Sequence, residues 1–431
     1  MHQGNFDLTL DQITKIEGHA ALTLKVKNGT VEKCTFEIPE YKRFYTQAVR
    51  GKNVTAIPQM VSRICGTCSN AHLLCSIHAI EDALEIKVTQ QTKLLRRILN
   101  NGLIIRDHAL HLYVFVLPDL YHRDSLLEFD EANEEEHELV HDAFAIKEVG
   151  NLLAKWSGGR SVHAPAPTIG GFLILPKNGE QEKLILKLEL IRDKVIKIIK
   201  IFEKCDFELN EDILFSALQD DNYDFLGKTI ITHENACVPA RNYADHLEHV
   251  VKPYSQGSAY TYEGKTFMVG ALSRMNLSKN GIHRKTKEAA ASALSMFPSQ
   301  NIFHNNLAQA LEILHCLDDS IDILKNLEIM DEKPVPYTMR AGTGTGVIEA
   351  PRGTLYHRYS FDENGLIIKG DIIVPTGQNQ ICIEKSLGDY AQKNLDLPKE
   401  ELSHQMEKLV RAYDPCMSCA SHFLKLKIEQ I

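Results

Sequence analysis

The sequence predicts an α+β fold that is mainly α: a long-helix bundle core with a small N-terminal antiparallel sheet and peripheral strands. Three patterns carry that expectation. Residues 5–38 alternate in polarity around Asn28-Gly29, a dipeptide suited to a tight hairpin because both positions tolerate positive φ. Leu184, Leu188, Ile191, Val195, Ile198 and Phe202 recur at helical spacing and form one apolar stripe. Gly- and Pro-rich connectors, with strand-like stretches at 346–350 and 367–374, separate the helices.

Similar apolar stripes run near residues 71–85, 92–117, 133–156, 285–296, 303–327 and 399–412, enough for a bundle. The expected organisation is a single domain without internal repeats. Residues 1–50 form the N-terminal sheet region, 51–330 the helical core, and 331–422 a strand and loop region with a C-terminal helix. The cluster Gly342-Thr343-Gly344-Thr345-Gly346 lacks the Gly-Lys-Ser/Thr ending of a phosphate loop, and its strict alternation does not fit a dinucleotide fingerprint. A loop lying close against another backbone explains it better.

Of the 431 residues, 44% are hydrophobic and 24% charged, which excludes a disordered chain. A formal charge of −9 argues against a nucleic-acid binder. The N-terminus lacks a basic stretch followed by an apolar one, and no apolar run approaches the roughly 18–20 residues that span a bilayer. The expectation is a cytoplasmic protein without a membrane span. In that reducing compartment, paired cysteines are metal ligands or redox groups rather than disulfides.

Two pairs stand out among the ten cysteines. Cys65 and Cys68 lie in Arg63-Ile64-Cys65-Gly66-Thr67-Cys68-Ser69-Asn70-Ala71-His72, and Cys416 and Cys419 in Asp414-Pro415-Cys416-Met417-Ser418-Cys419-Ala420-Ser421-His422. Two intervening residues let both thiolates of a pair reach one ion. Each pair adjoins an expected helix end, where backbone N–H groups favour thiolates. Four soft ligands suit zinc, an iron–sulfur cluster, or nickel and iron. Zinc ribbons usually close over about 15–20 residues, whereas these pairs sit near opposite ends of the chain. A site that only the whole fold can assemble favours a catalytic metal, with structural zinc and iron–sulfur remaining as alternatives.

These motifs resemble the two cysteine signatures of nickel–iron hydrogenase large subunits. Ile16-Glu17-Gly18-His19 is similar to that family's N-terminal glutamate motif, and Glu349-Ala350-Pro351-Arg352-Gly353 to its arginine motif. Asp107-His108-Ala109-Leu110-His111-Leu112-Tyr113, Gly170-Gly171-Phe172, Asn305-Asn306-Leu307-Ala308-Gln309-Ala310 and Pro375-Thr376-Gly377-Gln378-Asn379 also match, in family order. The wording of Met268-Val269-Gly270 and Arg411-Ala412-Tyr413 is most similar to the soluble sulfhydrogenase, NAD(P)-coupled type.

The resemblance implies the large-subunit fold and reversible heterolytic cleavage of dihydrogen at a nickel–iron centre whose iron carries cyanide and carbon monoxide. Cys65 and Cys416 would be terminal nickel ligands, and Cys68 and Cys419 would bridge the metals. Cys416 would also serve as the base, and Glu17 would relay the proton outward. Arg352 would lie over the open metal position, with Pro351, Asp107 and Asp414 completing the outer shell. His72 would donate to a bridging sulfur, and Pro375 and Thr376 would hold the diatomic ligands. Implied partners are an iron–sulfur small subunit, flavin and NAD(P) reductase subunits, maturation factors and an endopeptidase; a deazaflavin or heterodisulfide reductase partner is an alternative. A hydrogen-sensing or structural-metal homologue with little turnover is the rival function.

Two departures stand out. The family's magnesium-binding glutamate falls at Thr46 in Arg43-Phe44-Tyr45-Thr46, a weak neutral ligand that leaves His422 as the remaining magnesium candidate. Residues 423–431 extend beyond the position at which the resemblance places cleavage after nickel loading, so they read as a removable tail, with maturation without cleavage as the alternative.

Overall fold

The computed structural model describes residues 5–39 and 44–421; Arg43, His422 and the 423–431 tail lie outside them. Strands β1 (Phe6–Leu10), β2 (Ala21–Lys27) and β3 (Thr30–Glu37) form the expected antiparallel sheet in the order β1-β2-β3. Asn28 and Gly29 take φ of 50° and 73° between Lys27 and its partner Thr30, the two-positive-φ geometry that matches strand twist.

Two helices follow: α1 (Ser69–Leu84) and α2 (Gln90–Leu110), the second continuing through a π-helical turn at His111–Val116. Helices α3 (Glu134–Gly158) and α4 (Gln181–Glu203) come next, and the stripe Leu184–Phe202 is buried on α4 as its spacing predicts. Helix α2 packs on α3 where Gly102 meets Gly150; a Cβ on Gly102 would fall 2.7 Å from the Gly150 carbonyl oxygen. Further on, α5 (Ala271–Ser278) precedes α6 (His304–Asn326), which packs on both α2 and α4.

Residues 205–268, expected as part of the helical core, carry strands instead: a four-stranded sheet that includes Leu214–Leu218 and Phe267–Met268, and a two-stranded ribbon. The 285–296 stripe forms two short helices rather than one. Strands β4 (Gly342–Ala350), β5 (Gly353–Phe361) and β6 (Ile367–Ile373) make an antiparallel sheet, followed by α7 (Pro375–Lys393) and α8 (Lys399–Ala412). The periodicity does not reveal α7, because its inward positions Thr376, Gln378, Asn379 and Gln380 are polar yet buried. Among the described residues no helix is long and apolar enough to cross a membrane.

The glycine cluster is the first half of β4, not a loop, but its close approach to another backbone is as expected. Gly342, Gly344 and Gly346 share one strand face, laid directly on α1. A Cβ added at Gly346 would collide with the Cys75 carbonyl oxygen, and one added at Gly344 with the Ala79 carbonyl oxygen. Those targets are backbone, so the strand would have to lift from the helix. Gly346→Ala is therefore expected to destabilise the protein by about 1–3 kcal/mol, measured by denaturant unfolding. Gly388→Ala on α7 is the control, since its Cβ meets only the Cys34 Cβ at 3.5 Å; equal stability of the two variants would refute the close-packing argument.

Candidate metal centre

Each cysteine pair sits on a turn that feeds a helix. Cys65 is extended after a one-turn helix at Ser62–Ile64, and Cys68 caps the N-terminus of α1, its carbonyl accepting from Ala71 and His72 N–H. In the second pair, Asp414 takes a left-handed φ of 48°, Pro415 follows, and Cys416 caps the short helix Met417–Ala420. The N-terminal segment closes on this turn. Glu17 bridges in parallel to Cys416, its carbonyl accepting from Met417 N–H at 3.0 Å.

All four sulfurs lie within 4.8 Å of one another and are buried. They pair across the motifs rather than within them, Cys65 with Cys416 at 3.4 Å and Cys68 with Cys419 at 3.0 Å. Hydrogen bonds from the other three thiols lower Cys65 well below the ordinary thiol value, while burial raises Cys416 and Cys419 well above it. Without a cation the pocket therefore tolerates little thiolate charge, and metal binding would release the remaining protons.

The surroundings of the sulfurs differ from one side of the cluster to the other. Beside Cys65 and Cys416 lie Thr67, whose hydroxyl is 3.1 Å from the Cys65 sulfur, and Glu17, whose Oε2 accepts from the Cys416 thiol at 3.0 Å and from Ser418 N–H at 3.1 Å. Burial raises the Glu17 carboxyl, and charge on Cys65 adds to the rise against the lowering hydrogen bonds. Against Cys68, Cys416 and Cys419 lies a small cavity of about 10 Å³, lined also by His72, Ala350, Pro351, Arg352, Leu355, Pro375 and Thr376. Thr376 also accepts from Cys416 N–H at 2.9 Å, and His72 Nε2 stands 3.7 Å from the Cys419 sulfur.

Arg352 occupies the two-residue turn between β4 and β5, after Pro351. Its Nη1 donates to Asp107 at 2.6 Å, and its Nη2 forms an ion pair with Asp414 at 2.9 Å. Burial alone would lower its pKa; the two carboxylates outweigh burial and hold it well above its usual value. Its buried Nε and Asp107 Oδ1 find no partner among the described residues. The structure thus gathers Glu17, Asp107, Arg352, Asp414, His72, Pro351, Pro375 and Thr376 around the cysteines. Thr46 is buried on the short helix Tyr45–Ala48, with its hydroxyl unpartnered among the described residues.

A model of the nickel-dependent hydrogenases matches residues 43–149 and 136–422. The chain belongs to this family. It is 31% identical over 427 residues to the sulfhydrogenase 1 alpha subunit of Pyrococcus furiosus, covering 97% of this chain and 98% of that one. It is 26% identical to the beta subunit of the NAD-reducing hydrogenase HoxS of Cupriavidus necator, covering 97% and 95%. The fold matches that of an NAD+-reducing [NiFe]-hydrogenase with a TM-score of 0.88 at 22% identity, over 97% of this chain and 99% of that one. The chain is accordingly an oxidoreductase of the class acting on hydrogen, with the large-subunit fold.

The sequence reading missed the group that holds the arginine turn. Arg274 on α5 donates to the carbonyls of Ala350 at 3.1 Å and Pro351 at 3.0 Å, and pairs with Glu349 and doubly with Glu312. Glu312 also accepts from the Tyr223 hydroxyl and contacts His108 Nε2 at 2.8 Å. The available signal was a glutamate at a core position of α6, between Leu311 and Ile313. Burial would raise Glu312, but Arg274 outweighs it and holds the carboxyl down at about 2, against 4.5 ordinarily. A depressed carboxyl contributes stability that is complete above about pH 4.5 and is lost as pH falls towards 2. Arg274→Met, which strands two buried carboxylates, is expected to cost about 3–5 kcal/mol at neutral pH and to lose less on acidification than the unsubstituted protein. Denaturant unfolding at pH 7 and pH 3 measures both; a neutral-pH loss below 1 kcal/mol would contradict the strut.

Proposed function

We propose that this chain is the catalytic subunit of a nickel–iron hydrogenase and performs H2 = 2 H+ + 2 e− reversibly. The observation that carries the reading is the apolar cavity that opens on three of the four buried sulfurs, Cys68, Cys416 and Cys419, beneath Arg352. A zinc clip has no use for a cavity against its sulfurs, lined by an arginine whose Nε finds no partner among the described residues. A two-metal centre uses both features: Cys65 and Cys416 would hold nickel alone, and Cys68 and Cys419 would bridge to an iron whose cyanide and carbon monoxide need space without protein ligands. When bound, the metal pair supplies a soft-ligand site at which dihydrogen is polarised and its two electrons are taken up.

The chain's own residues handle charge and protons. Arg352 would present its free Nε to the cavity, held in place by Asp107 and Asp414. The Cys416 sulfur would accept the proton, and Glu17 Oε2, 3.0 Å away, would take it on. Glu17 is partly exposed, so this carboxyl links the buried sulfur to the surface of the subunit. Ala350, Leu355, Pro351 and Pro375 give the cavity a mainly apolar wall, and Thr376 would face the diatomic ligands while fixing Cys416.

Among the described residues the four cysteines are the one group of three or more such ligands that lies close enough to hold an ion. Electrons would therefore leave through a separate chain, an iron–sulfur small subunit in the cytoplasm, with flavin and NAD(P)-linked subunits beyond it. The relatives named as alpha or beta subunits, one of them NAD-reducing, support that assembly.

Glu17→Gln in the assembled complex is expected to retain nickel and iron while losing on the order of 100-fold or more of its hydrogen turnover and deuterium–proton exchange. Metal analysis and exchange mass spectrometry test this together. Full exchange in Glu17→Gln would overturn the relay, and zinc in place of nickel would overturn the reaction.

A further inference from the structure

Strand β5 turns Leu355, His357 and Tyr359 to one face, packed on α1. Leu355 lines the cavity, and the next two extend a line of hydrogen bonds away from Cys419. His72 Nε2 is 3.7 Å from the Cys419 sulfur, His72 Nδ1 is 3.0 Å from His357 Nε2, and His357 Nδ1 is 2.6 Å from the Tyr359 hydroxyl. His72 is 1% exposed, and His357 and Tyr359 are fully buried. Three polar groups aligned end to end in an apolar core cost desolvation, so their alignment needs an explanation beyond packing.

The direction of the hydrogen bonds follows from what each atom can do. A thiolate bound to metal only accepts, so His72 Nε2 must carry the hydrogen that faces Cys419. A neutral His72 then accepts at Nδ1, which requires the hydrogen of His357 on Nε2. His357 in turn accepts at Nδ1, and the Tyr359 O–H is the donor in reach. Burial holds His357 well below the ordinary histidine value, with His72 adding to the fall, which keeps its ring neutral with a single N–H. The opposite direction would aim a nitrogen lone pair at the thiolate.

We propose that His357 and Tyr359 are positioning residues that fix the tautomer and ring orientation of His72, and through it the hydrogen bond received by the Cys419 sulfur. This rests on the reading of Cys419 as a bridging ligand. A hydrogen bond to a ligand sulfur withdraws charge from the metals, so the chain reaches the electronics of the centre from a tyrosine two residues removed from it.

The test is infrared spectroscopy of the cyanide and carbon monoxide bands in the purified, metal-loaded complex. Tyr359→Phe removes one oxygen, and His357→Leu removes both ring nitrogens. Both are expected to shift the bands in the same direction, and His357→Gln to return them towards their original positions, because a glutamine amide can donate to His72 and accept from Tyr359. In a His72→Phe background, Tyr359→Phe should add no further shift. Bands that ignore Tyr359→Phe and His357→Leu, or that shift equally with His72 absent, would overturn the inference alone. Unsubstituted protein without the bands would overturn the nickel–iron centre, and this inference with it.

Discussion

Two cysteine turns from opposite ends of the chain must bring four sulfurs within 4.8 Å of one another, and the rest of the structure follows from that demand. Neither turn can bury its thiols alone. The first is held by α1, which is held by the glycine face of β4. The second is held by Asp414 in a left-handed conformation, by Thr376 under Cys416, and by Glu17, which joins the N-terminal segment to the C-terminal motif. Local faults far from sulfur, such as a methyl group on Gly346, therefore act on the centre through the strand and helix that carry it.

The second theme is charge held where water is excluded. Arg352 lies between two carboxylates, and Arg274 lies between two more while gripping the turn that presents Arg352. Buried ion pairs of this kind add little net stability over well-packed apolar residues. Their return is placement. A guanidinium fixed at both ends cannot swing, and a turn whose carbonyls are bonded to Arg274 cannot drift. Among the described residues the Arg352 Nε and the Asp107 Oδ1 keep no partner, and of the two residues Arg352 lines the cavity.

Much of this was legible in the residues. Asn28-Gly29 marked its hairpin, the Leu184–Phe202 stripe marked α4, and the paired cysteines marked a metal site because two-residue spacing has a direct chelate geometry. Other parts were not. Helix α7 buries Thr376, Gln378, Asn379 and Gln380, so hydropathy alone does not show its inner face. The strands within 205–268 interrupt the expected helical core, and strand pairings such as Phe267 beside Leu214 are long-range, with no local periodic mark. The partners of a buried polar group are the hardest to read: His357 and Tyr359 alternate properly for a strand, but nothing in the sequence says that His72 stands opposite. Four soft donors likewise left zinc, iron–sulfur and nickel–iron open, because donor type and spacing alone suit all three; it is membership of the nickel-dependent hydrogenases that favours the last.

Nickel-edge X-ray absorption on the purified complex tests the central claim most directly. The account predicts nickel in an all-sulfur protein donor set with an iron neighbour, the iron being lost in Cys68→Ser and Cys419→Ser. Nickel bound through nitrogen and oxygen, or zinc with four equivalent sulfurs and no iron neighbour, would contradict it.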